Sequence, residues 1–193
     1  MKYNLLIILY TILGFVILNS CTEDKEDNDI VHNYEEEDEE LYEYEAFPLK
    51  EYELDLFIYL PDETADIGAA TKPVVKHETS DYKWQIKLGQ HFILEIVDMG
   101  EMNGVTIHKE DLEDLAHIFE VEYLVEEDDF IYYKRKVNQA ANDGVGVDHV
   151  TYHCYANHNI NGINYLVGSH EDGVPKPIAE YMITSVKNVE KIN

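Results

Sequence analysis

The sequence predicts an α+β domain, an antiparallel sheet of about 6–8 strands with two packed helices. It follows a short oily run and an acidic stretch. Two observations carry this. Strand-like segments come in consecutive runs, in the order β-β-β-β-α-β-β-β-β-α, and do not alternate with helices as βαβ units would. Asn161-Gly162 also stands between two strand-like segments, and Asn-Gly is the strongest short hairpin signal because a type I′ turn needs positive φ at both positions.

The first twenty residues open on Lys2, followed by the fourteen uncharged residues Leu5–Leu18 and then Asn19-Ser20-Cys21. A spanning helix needs about 20 apolar residues, so this run is short for a permanent span and suits the h-region of a secretory signal. Leu18-Asn19-Ser20-Cys21 resembles the lipobox of bacterial lipoproteins: Leu18 stands three before the cysteine and Ser20 supplies the small residue just before it. The resemblance implies cleavage between Ser20 and Cys21 and lipid on the Cys21 thiol. Residues 1–20 are then a signal peptide, and two or more acyl chains suffice for stable anchoring.

Residues 21–47 read as a tether. Thirteen Asp and Glu face one lysine, Lys25, between Thr22 and Phe47, and like charges this dense repel one another and bury no core. As a flexible coil such a stretch spans roughly 30 Å. Thr22-Glu23-Asp24-Lys25-Glu26-Asp27 resembles the surface-export signal of lipoproteins in some diderm bacteria. Asp24, Glu26, Asn28 and Glu35 fall at calcium-loop spacing, but Asp29 occupies the turn position that needs glycine, so the match is rejected.

Residues 48–193 read as a single body. Glu53–Leu60, Val74–Thr79, Tyr82–Leu88 and Phe92–Asp98 are strand-like, and Tyr82, Trp84, Ile86 and Leu88 alternate with Lys83, Gln85 and Lys87 at the period of a half-buried strand. A helix is expected from about His108 to Phe119, on the stripe Leu112, Leu115, Ala116 and Phe119, with Glu110 and Asp111 in its first turn. Glu120–Glu127 and Phe130–Val137 flank an Asp128-Asp129 turn, and Gln139–Asp148 reads as a loop. His149–Ile160 and Ile163–His170 form the Asn-Gly hairpin. Pro175–Glu190 closes the chain as a helix, with Ile178, Met182, Val186 and Val189 on one side. This order of hairpin, turn and closing helix resembles the PsbP-like fold, whose members include bacterial lipoproteins and are mostly non-catalytic binding or assembly factors. The resemblance carries no diagnostic motif, so no functional residue comes with it.

Forty acids against fourteen bases leave a formal charge of −26, which repels nucleic-acid phosphate and excludes DNA and RNA as partners. Cys154 falls on the apolar side of its strand and reads as a buried, inert thiol. Counting back from the turn sets His153 opposite His170, on a face with Thr151, Tyr155, Asn157 and Asn164 that reads as polar and exposed. The two histidines are weak metal candidates: zinc wants three or four ligands, and His149 stands too far along the strand to add a third. The strand tyrosines Tyr59, Tyr82, Tyr123, Tyr132, Tyr133, Tyr152, Tyr155 and Tyr165 read as packing residues. Glu126, Glu127, Asp128 and Asp129 carry no specific signal for acid–base work.

The expectation is a non-enzymatic lipoprotein of the cell envelope, at the outer membrane on its periplasmic or surface face. It needs no cofactor, and its partners are the membrane, through lipid, and a protein with a basic surface. Three other classes stay open: an inhibitor or immunity protein against a basic partner, an adhesin-like ligand binder, and a metal-dependent enzyme using His153 and His170. The ligand and the oligomeric state are not encoded in any motif.

Overall fold

The computed structural model describes residues 41–65, 67, 72–78, 80, 82–138 and 149–192. Ser20, Cys21, the calcium-like spacing and the loop at 139–148 lie outside the described residues. The strands are β1 (Tyr44–Pro48), β2 (Leu56–Pro61), β3 (Val74–Glu78), β4 (Lys83–Leu88), β5 (Phe92–Gly100), β6 (Phe119–Glu126), β7 (Phe130–Val137), β8 (Val150–Ile160), β9 (Ile163–Ser169) and β10 (Val189–Lys191). The helices are α1 (Gly104–Asp114), between β5 and β6, and α2 (Lys176–Lys187), between β9 and β10.

A seven-stranded sheet runs β3-β4-β5-β9-β8-β7-β6, every neighbour antiparallel, and a second sheet runs β1-β2-β10. This is the expected α+β architecture, with one strand added at each end of the expected order. The added strands follow from burial. Phe47 lies opposite Ile58, and Leu49, just after β1, is fully buried, so β1 takes in Tyr44–Phe47, which charge counting assigned to the tether. Val189 leaves the expected helix and pairs with Ile58 on the other side of β2.

The main core fills the space between one face of the large sheet, the small sheet and α2. Trp84, Ile86, Leu88, Leu94, Ile96 and Val167 meet Leu56, Ile58 and Leu60 of β2 and Ala179, Met182 and Val186 of α2. Three of the four residues expected on the inner face of β4 are there; Tyr82 precedes the strand at positive φ and is 64% exposed. Cys154 is buried in this core, as expected, and burial pushes its thiol far up. Asn161 and Gly162 take φ of 56° and 86°, the paired positive values of the expected turn.

The helix expected from His108 to Phe119 starts four residues earlier. Asn103 caps it, its side-chain oxygen accepting from the Thr106 N–H at 3.0 Å. Gly104 permits a close approach to β9, since a Cβ there would stand 2.6 Å from the Leu166 Cβ. Leu115–His117 form a separate 3-10 turn, and Phe119 already belongs to β6. The connection carries the chain from β5, in mid-sheet, to the far edge at β6, and α1 therefore crosses the second face of the sheet over β8 and β9. Val105 and Leu112 pack there on Ile131, Tyr133 and Tyr155 as a smaller core.

Candidate functional site

The crossing of α1 decides the fate of the face that carries His153. Alternation along β8 and β9 reads that face as polar and exposed, yet Thr151, His153 and Tyr155 are buried. The correction has a simple cause. Period-2 alternation separates the two faces of a strand but does not say what lies over each.

The hairpin register holds from Ile160–Ile163 to Tyr155–Gly168. Beyond it the two histidines part. His153 stacks on the Tyr133 ring, with centroids 4.9 Å apart and planes within 7°, and its Nε2 lies 2.9 Å from the Thr151 hydroxyl. The Gly173 turn closes over it; a Cβ there would stand 2.4 Å from Nε2. The His153 Nδ1 atom is buried with no hydrogen-bond partner. The His170 ring sits between carboxylates, 3.7 Å from Glu95 and 3.2 Å from Asp172, while its backbone N–H donates to Ile93 of β5. The exposed setting expected for the two weak metal candidates is thereby corrected at His153, which is buried, and among the described residues no group of three or more His, Cys, Asp or Glu could hold a metal ion.

His108, on α1, reaches the same cluster. Its ring centroid lies 3.9 Å from that of Tyr155, and its Nε2 is 3.0 Å from the Tyr133 hydroxyl. Burial pushes His108 down to about 4, with Arg135 adding to the effect and Asp111 opposing it. Burial pushes His153 down to about 3, helped by Arg135 and His108. Both imidazoles are neutral at pH 7. Burial raises the Tyr133 and Tyr155 hydroxyls well above the ordinary phenol value, so these too are neutral.

Beside the cluster opens a cleft of about 310 Å³, lined among others by Glu95, His108, Asp111, Tyr133, Arg135 and Tyr155. Arg135 is the only arginine in the chain. Its guanidinium donates to the Glu171 carbonyl at 2.7 Å and lies 4.4 Å over the Phe119 ring. Glu95 accepts from Gln85 at 3.2 Å and pairs with Lys83 at 2.8 Å. Gly168 keeps the floor flat, since a Cβ there would stand 2.1 Å from the Tyr155 ring. Arg135 and Glu95 are tied to neighbours, and the histidines are uncharged. The cleft can orient a small polar ligand through Arg135, the carboxylates and the aromatic rings.

Sequence reasoning did not assemble this cleft, because its residues come from β5, α1, β7, β8 and β9. The uniqueness of Arg135 was the one local signal available. His149 is exposed at the start of the hairpin. Tyr132, Tyr133, Tyr155 and Tyr165 are buried, as packing residues should be, whereas Tyr82 is not. Among the described residues no helix is long and apolar enough to cross a membrane.

The sequence matches no protein-family model and no curated protein. Among solved structures it is similar to the Ran-binding protein Mog1p of Saccharomyces cerevisiae. That likeness has 9% identity and a TM-score of 0.48 over 78% of this chain and 96% of that one, a level that carries no argument about function.

Proposed function

We propose that this chain is an exported lipoprotein of the cell envelope, held by acyl chains on Cys21, whose body binds a partner and does not transform a substrate. The observation that carries the reading is the join of an uncharged fourteen-residue run to Leu18-Asn19-Ser20-Cys21, followed at once by acids. The cleft supports its second half. Arg135 is engaged by a backbone carbonyl and an aromatic ring, Glu95 by Lys83, and His108 is held neutral by burial, which suits fixed recognition better than proton exchange. A chain of formal charge −26 does not approach anionic headgroups unaided, so lipid is what holds it to a membrane.

The test is Cys21→Ser in the full chain, followed by membrane fractionation and intact mass. The wild type is expected in the membrane fraction at the mass of residues 21–193 plus acyl groups, and the variant uncut and without acyl mass. If wild type and variant share one mass and one fraction, the reading is wrong.

A further inference from the structure

β6 is an edge of the seven-stranded sheet. β7 pairs with one side of it, and no strand among the described residues pairs with the other. A free edge presents a row of backbone donors and acceptors that another chain can complete. The other edges are poorer templates: β10 has three residues, β1 ends on Pro48, and β3 has five. β6 has eight.

Exposed apolar side chains gather at this edge. Ile118, Leu124 and Val125, on β6 or next to it in the chain, and Val137 of the neighbouring β7 are each 36–41% exposed. Next to them runs a groove of about 470 Å³, lined by Glu120, Glu122, Lys134, Lys136, Val150 and Tyr152 among others. Along the strand itself the charge is of one sign, Glu120, Glu122 and Glu126, with Glu126 paired to Lys109 of α1. Glu120 and Glu122 lean on Lys136 and Lys134 at 2.7 and 2.9 Å, but as half-exposed pairs they are weak and can be shared with a newcomer.

The geometry points to β6 as a docking edge for an extended basic segment of another protein, which adds to the sheet as an eighth strand. Charge selects this occupant. A second copy of the chain laid along β6 sets glutamate against glutamate in either direction, and like charges directly opposite are destabilising. A strand alternating lysine or arginine with apolar residues meets Glu120 and Glu122 on one face. Its backbone completes the ladder, as in other cases of strand addition. The field of a −26 chain raises the encounter rate for such a segment. The bulge between Tyr123 and Val125 bends the far end of the strand and limits pairing to its first half, where those two glutamates stand. This inference rests on the body alone and stands or falls independently of the anchor at Cys21.

The experiment uses the full chain in detergent and two synthetic peptides of the length of β6, one alternating lysine with valine and one alternating glutamate with valine. The lysine peptide is expected to bind at least about tenfold more tightly. That binding should weaken as salt rises, and it should slow hydrogen exchange in β6 with no matching effect in β3 or β1. The double variant Glu120→Lys with Glu122→Lys is expected to reverse the preference between the peptides. Because the exchange footprint is read on the wild type, a misfolded variant does not blur the answer. Equal affinity for both peptides, protection centred outside β6, or self-association of the chain through β6 overturns the inference.

Discussion

At the residue scale, the two buried imidazoles give the body a definite response to acid. His108 and His153 stay neutral in the folded state down to about 4 and about 3, whereas in the unfolded chain both take a proton near the ordinary value of 6.5. The unfolded state therefore binds more protons below pH 6.5. Stability is fully present above that pH and is lost as the pH falls towards the two folded values. Each group contributes up to about 1.4 kcal/mol per pH unit inside that window. His158, lowered by burial against its bond to the Val186 carbonyl, acts in the same direction. Urea unfolding at pH 7.5 and pH 5 should show a loss on the order of 4 kcal/mol, about 2 from each of these two groups, since most carboxylates are still ionised across that interval. His108→Gln should lessen the loss. An unchanged midpoint across the interval would contradict the neutral assignment.

At the element scale, α1 is the piece on which the second face depends. Its start is tied twice: Asn103 caps the Thr106 N–H, and the Gly104 N–H donates to the Asn157 side chain of β8 at 2.8 Å. The expected helix began four residues too late because Glu110 and Asp111 resemble a first turn, whereas the operative signal is Asn103-Gly104. Asn103→Ala should cost about 1 kcal/mol, read by denaturation and by faster exchange in the first turn of α1. An unaltered midpoint with unaltered exchange would mean the cap contributes nothing. The hairpin at Asn161-Gly162 behaved differently, because its turn is set by two adjacent residues and needs no distant partner.

At the scale of the whole molecule, charge dominates. The body's ion pairs join mostly half-exposed side chains, and pairs of that kind contribute little each, whereas 27 acids against 12 bases in residues 48–193 leave a formal −15 that repels itself. Raising the ionic strength from about 0.01 to about 0.3 M should therefore raise the thermal midpoint by a few degrees, because screening relieves repulsion more than it weakens the pairs. A midpoint that falls with added salt would put the pairs ahead of the repulsion.

The sequence by itself determined the run of strands, the two helices, the Asn-Gly turn, the buried face of β4 from Trp84 to Leu88, and the burial of Cys154. It also carries the motif on which an anchor at Cys21 is proposed. These are local properties: alternation, turn chemistry and a short apolar run are written in neighbouring residues. Only the tertiary structure decided that β1 and β10 flank β2, that α1 covers the His153 face, and that Arg135, Glu95 and His108 share a cleft. A strand's pattern distinguishes its two faces but not what packs on them, and that depends on where a crossover between distant strands is laid.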